Sequence, residues 1–124
     1  MSTYHAIVWM DQQQAHVLHF DREHIEAQKI KARSHHKHQG RDDSESGFFH
    51  AVSTALAGTH EVLLTGPGSA REAFRSWVEK HQPAAGKLIV GSVPSDHPTD
   101  NQLVAMARKY FLRFDGMAGD PKAA

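Results

Sequence analysis

Between Ala27 and Arg41 the chain carries Lys29, Lys31, Arg33, Lys37 and Arg41 with no carboxylate among them, and His35, His36 and His38 stand in the second half of that run. Fixed positive charge without counter-ions makes an anion-facing surface. The imidazoles add two other chemistries, because histidine ligates zinc, nickel or copper and also moves protons near neutrality. Three histidines crowded into one polar segment are a poor metal set, since structural sites usually draw their ligands from well-separated elements. The anion-facing reading is therefore the first expectation, and no metal ligand is assigned.

Other stretches offer other chemistries. Two-metal nucleases gather several carboxylates around cations about 4 Å apart. Asp11 at the exit of the first strand and Glu45 at the start of the first helix stand where two of them would be, but the fourth strand ends in Thr65-Gly66 with no acid. Asp11 then reads as a turn residue and Glu45 as part of a helix cap. Gly66-Pro67-Gly68-Ser69 lies between a strand and a helix, where free amides can hold phosphate. It lacks the Lys-Ser/Thr ending of a P-loop and the spacing of a dinucleotide fingerprint, so a tight turn with a helix cap is preferred. There is no cysteine nucleophile and no Gly-x-Ser-x-Gly elbow. Asp96-His97-Pro98-Thr99-Asp100 reads as a helix entry, and the scattered histidines at 5, 16, 19, 24, 50, 60 and 81 as surface or half-buried strand and helix positions.

The elements that must position these residues follow from hydrophobic periodicity. From Thr3 to Met10, Tyr4, Ala6, Val8 and Met10 alternate with His5, Ile7 and Trp9. Apolar groups on both faces predict a central strand. Asp11–Gln14 turns the chain, Ala15–Phe20 is a second strand, and Asp21-Arg22-Glu23 reverses it again. A third strand over His24–Arg33 ends in cations, as expected at a sheet edge, where charge discourages further pairing. Asp42 and Glu45 have capping-box spacing, and Phe48, Phe49, Val52, Ala55 and Leu56 follow a helical rhythm that Gly58 ends. His60–Thr65 is a fourth strand. Ser69 and Glu72 suggest a second capping box, opening a helix with Phe74, Trp77 and Val78 inward that stops before Pro83. A fifth strand begins at Lys87–Val90 and ends at Val93-Pro94. Thr99 and Gln102 open the last helix, with Leu103, Ala107, Tyr110, Phe111 and Phe114 on one stripe.

The expected fold is thus α/β (α+β): one domain over residues 1–115 with a flexible tail over 116–124. Its five-stranded mixed sheet follows the order β-β-β-α-β-α-β-α, the order of ribonuclease H-like and translational-machinery-component folds. The length of 124 residues suits a single core. Lys and Arg number 14 against 14 Asp and Glu, so any binding of polyanions must come from local segregation of charge. Eleven histidines would make the surface more cationic as pH falls toward about 6. Zero cysteines exclude disulfides and thiolate ligands. No apolar run approaches the roughly 20 residues of a membrane span, and no signal peptide is visible, which predicts a cytoplasmic protein.

Four stretches together resemble a known family: Tyr4-His-Ala-Ile-Val-Trp-Met-Asp11, the His-rich loop, His60-Glu-Val-Leu-Leu-Thr-Gly-Pro67, and the long run from Asp96-His-Pro-Thr-Asp-Asn-Gln to Tyr110-Phe111. They resemble small bacterial translational machinery proteins, which are similar to the middle domain of eukaryotic and archaeal class 1 release factors and of the rescue factor pelota. In release factors the loop between third strand and first helix carries a Gly-Gly-Gln motif for ester hydrolysis. Here that segment reads His35-His-Lys-His-Gln-Gly-Arg41, with Gln39 before a lone glycine, so the motif is not met and no catalytic residue is carried over. The resemblance implies a non-catalytic, translation-associated module that binds ribosome or tRNA, in rescue, hibernation or stress. Lys29, Lys31, Arg33, His35, His36, Lys37, His38, Gln39 and Arg41 are the expected phosphate contacts. No cofactor is expected, and the exposed edges of a mixed sheet leave a monomer or a homodimer as the expectation. A hydrolase acting on peptidyl-tRNA or RNA, and a metal- or pH-responsive interaction module, are the alternatives. With no aromatic before Phe48 in the loop, backbone and shape recognition would outweigh base stacking.

Overall fold

The computed structural model describes residues 5–21, 23–32 and 43–117, with the side chains of 43, 44 and 114–117 excepted. Strands β1 (His5–Met10), β2 (Gln14–Phe20) and β3 (Ile25–Lys31) form an antiparallel meander, followed by α1 (Asp43–Ala55) and β4 (Glu61–Gly66). Then come α2 (Ala70–His81), a short α3 (Pro83–Gly86), β5 (Ile89–Pro94) and α4 (Asp100–Met117). The sheet has the order β3-β2-β1-β4-β5, with β4 parallel to both β1 and β5. The expected mixed five-stranded sheet is therefore present and β1 is its centre.

Alternation decides which layer each strand residue joins. Ala6, Val8 and Met10 face one side, where Phe49, Val52, Leu56, Phe74 and Val78 of α1 and α2 close the larger core. Ile7 and Trp9 face the other, under Leu103, Val104, Ala107 and Phe111 of α4. Each fully buried side chain of this size contributes about 1.5–3 kcal/mol, so both faces of β1 are needed to hold the layers together. Tyr4, Asp42 with its cap to Glu45, the side chain of Phe114 and the tail from 118 onward lie outside the described residues.

Three local expectations change. The third strand is shorter than His24–Arg33, because Asp21 accepts backbone hydrogen bonds at 2.8 and 2.7 Å from Glu23 and His24 and so keeps His24 in the turn. Ser69 does stand at the N-cap of α2 but makes no side-chain capping bond. Its expected partner Glu72 is turned instead to Arg71, 2.7 Å away, and to Ser92, 3.2 Å away. Pro83 does not merely stop α2; it opens α3, where a proline at the first helical position is already set for helix φ. By contrast the Thr99–Gln102 box forms in both directions, at 3.1 and 2.9 Å. Gly66 is required where β4 ends: its φ is 139°, and a Cβ there would run into the Met10 carbonyl.

Candidate nucleic-acid interface

The register of the meander places the candidate cations. β3 pairs with β2 so that Ile25 lies opposite Phe20, Lys29 opposite His16 and Lys31 opposite Gln14. Phe20 belongs to the α4 core, so Ile25, Ala27, Lys29 and Lys31 all stand on the α4 side of the sheet. α4 packs over β1 and β2, and Lys29 and Lys31 remain exposed at the outer strand. Across the ladder from Lys29, His16 Nδ1 lies 3.5 Å from Asp100 Oδ1 at the start of α4. The last described residue of the segment, Ala32, donates its N–H to the Gln13 carbonyl at 2.8 Å. Arg33, His35, His36, Lys37, His38, Gln39 and Arg41 lie outside the described residues. Of the expected contacts, the structure brings Lys29 and Lys31 to one face and one edge.

Beside this end of β3, at the carboxyl ends of β1 and β4, lies a cleft of about 670 Å³ whose lining includes Asp11, Gln13, Lys31, Glu45, Phe49 and Ser69. Asp11 and Glu45 thus share a cleft, as a carboxylate pair would. Asp11 Oδ1, however, accepts the N–H groups of Gln13 and Gln14 at 2.8 and 3.0 Å, which is the work of a turn residue. At the third nuclease position Thr65 is fully buried, and its hydroxyl donates to the Val93 carbonyl at 2.8 Å. Among the described residues no group of three or more His, Asp or Glu is arranged to hold a metal ion.

The entry to α4 contributes something that sequence reasoning missed. Trp9 is almost wholly buried, and its indole N–H donates to the Asp96 carbonyl at 2.7 Å. His16 and His97 pack against the same ring at 5.5 and 5.0 Å between centroids. The available signal was the indole itself, since a buried Trp needs a partner for its N–H and Trp9 sits at the end of a central strand. The run Asp96–Asp100 is therefore both a helix entry and the cover of Trp9. Other histidines are likewise engaged locally: His5 lies 2.9 Å from Glu61 with its ring 4.5 Å from that of Phe111, and Trp77 lies between His50 and His81. At the far end of β3, backbone hydrogen bonds from His24 and Glu23 hold the Asp21 carboxyl below its ordinary value of 3.8.

The sequence matches no family model and no curated protein. Solved structures do share the fold. A Pelota protein from Thermoplasma acidophilum is 24% identical with a TM-score of 0.60, over 83% of this chain and 31% of that one. The Pelota of Archaeoglobus fulgidus is 15% identical with a TM-score of 0.63, over 86% of this chain and 31% of that one. An archaeal translation termination factor is 14% identical with a TM-score of 0.59, over 81% of this chain and 32% of that one. This chain spans about a third of the length of each. Its fold is thus similar to that of one part of the Pelota proteins and of an archaeal release factor.

Proposed function

We propose that this domain is a non-catalytic, translation-associated module that binds the RNA of the ribosome or tRNA. The observation that carries the reading is the placement of Lys29 and Lys31, exposed side by side on the outermost strand. They lead directly into the carboxylate-free run that ends at Arg41. Support for the translation context comes from fold-mates that are a termination factor, Pelota proteins and an S. cerevisiae termination-like factor involved in RNA quality control pathways. Lysines and arginines on one edge neutralise phosphates and release counter-ions, which gives affinity that falls steeply with salt and carries little sequence preference. Arg33, Lys37 and Arg41 extend the contact in this reading, with His35, His36, His38 and Gln39 beside them, and the cytoplasm is where it acts. No helix among the described residues is long and apolar enough to cross a membrane.

Co-sedimentation with purified ribosomes across a salt series tests the proposal. Binding at low salt is expected to weaken when Lys29 and Lys31 are both changed to Gln, with the slope of log affinity against log salt falling by about 1.5. Changing Lys37 and Arg41 to Ala should act the same way. A protein that stays in the supernatant at low salt, or whose binding ignores all four changes, is not the module described.

A further inference from the structure

β3 presents more than charge. Its neighbours in the ladder fix which of its backbone groups are spent: Asp21 donates to the His24 carbonyl at 3.0 Å, and Ala32 donates to the Gln13 carbonyl at 2.8 Å. Hydrogen-bonded pairs recur every second residue in an antiparallel ladder, so Glu26, Gln28 and Ile30 point their N–H and C=O groups at β2. Ile25, Ala27, Lys29 and Lys31 point theirs outward. Among the described residues β3 has a strand on one side only. The four residues with outward main-chain groups are the same four whose side chains stand on the α4 side.

We propose that β3 is a docking edge for an antiparallel, acidic strand supplied by a partner protein. Side chains of an added strand that lie opposite these four residues share their face. Opposite Lys31 and Lys29 the complementary residue is Asp or Glu, and opposite Ile25 it is apolar. Ile25 is 45% exposed, and Leu112, at 72%, is one turn beyond Arg108 on the same flank of α4. Arg108 itself reaches the Asp21 carbonyl at 2.8 Å and stands over the Phe20 ring, which places a cation and an aromatic ring beside the Ile25 end of β3. Read from its N-terminus, the guest strand is acidic-x-acidic-x-small-x-apolar. A second copy of β3 does not meet that pattern. The one carboxylate within the strand, Glu26, belongs to the opposite face, so self-pairing of residues 25–31 sets no acid against either lysine, and the register centred on Ala27 sets apolar Ile25 against Lys29. The proposal is independent of the RNA reading, because a nucleic acid would use the lysines without using the main-chain groups between them.

The test uses the full chain and a blocked synthetic peptide, Glu-Thr-Glu-Thr-Thr-Thr-Val, followed by amide hydrogen exchange. Binding is expected to protect the amides of Ile25, Ala27, Lys29 and Lys31 selectively, those of Glu26, Gln28 and Ile30 being protected already. Ala27→Pro deletes one outward N–H that the ladder does not use, and should weaken the peptide at least about tenfold while leaving RNA or ribosome binding unchanged. Reversing both lysines to Glu should transfer the preference to the same peptide with Lys in place of Glu, which keeps the idea testable if the proline variant misfolds. The proposal is overturned if the peptide fails to bind, if it binds without protecting the four amides, or if only a single-stranded RNA oligonucleotide occupies the edge.

Discussion

The two edges of the sheet are handled in opposite ways. β5 is covered: Tyr110 of α4 donates its hydroxyl to the Val90 carbonyl at 3.1 Å and lies so close over Gly91 that a Cβ there would strike the phenol oxygen. Arg71 reaches Ser92 Oγ at 3.0 Å, the pairing with β4 shifts register between Val62 and Leu63, and the strand ends on Pro94, which has no N–H to offer. Among the described residues β3 has none of these devices. It is a regular seven-residue strand, exposed at every position except half-buried Ile30, and its remaining protection is the charge of Lys29 and Lys31. Among the described residues, geometry seals one edge and charge guards the other. A charged guard repels copies of itself and attracts its complement, so in the proposed readings the two lysines that disfavour self-pairing are the ones that meet an anionic partner.

Gly91→Val should break the sealed edge most severely. The added side chain must displace Tyr110, an overpacking cost of about 2 kcal/mol measurable by urea denaturation. A loss below about 0.5 kcal/mol would mean that Tyr110 does not cap this edge. Tyr110→Phe is gentler, removing the bond to Val90 at a cost of about 1 kcal/mol by the same assay, with the ring left in place. On the open side, Asp21 sets the turn into β3 and its carboxyl is held below 3.8 by backbone hydrogen bonds. A depressed pKa stabilises the folded state above 3.8 and loses that contribution as pH falls through the folded value. The protection factors of the Glu23 and His24 turn amides, their exchange corrected for the intrinsic pH dependence, should therefore stay constant from pH 7 to pH 5 and fall only as the Asp21 carboxyl, followed by carbon NMR, titrates below 3.8. Ala27→Pro is the smallest effect, within about 0.5 kcal/mol in thermal or urea unfolding. A cost several times larger would show that proline's fixed φ does not fit this strand position, and the peptide test then rests on the reversal of Lys29 and Lys31.

Much of this arrangement was legible in the residues. The two-faced apolar pattern of Ala6–Met10 predicted a central strand because only a strand flanked on both faces can bury both sets of side chains. The Thr99–Gln102 spacing predicted a cap that forms, since both partners are local to one turn. The Ser69–Glu72 spacing predicted one that does not, because Glu72 is drawn to its neighbour Arg71 and to Ser92, and the Ser92 contact, 20 residues away, is not contained in any local pattern. The cover of Trp9 by Asp96 and His97 was illegible for the same reason: the partners are 87 residues apart between Trp9 and Asp96.

What the sequence determined by itself is the five strands and three longer helices, their order, and the segregation of Lys29, Lys31 and the loop cations into a stretch without acids, all of which depend on near neighbours; the short α3 was not among them. Which strand became an edge, and which four residues of it turn both main chain and side chain outward, depended on the register between β2 and β3 and on where α4 lies. Those are decided by packing across the whole chain. Periodicity states that side chains alternate, and only the folded ladder states which alternate set has no neighbouring strand among the described residues.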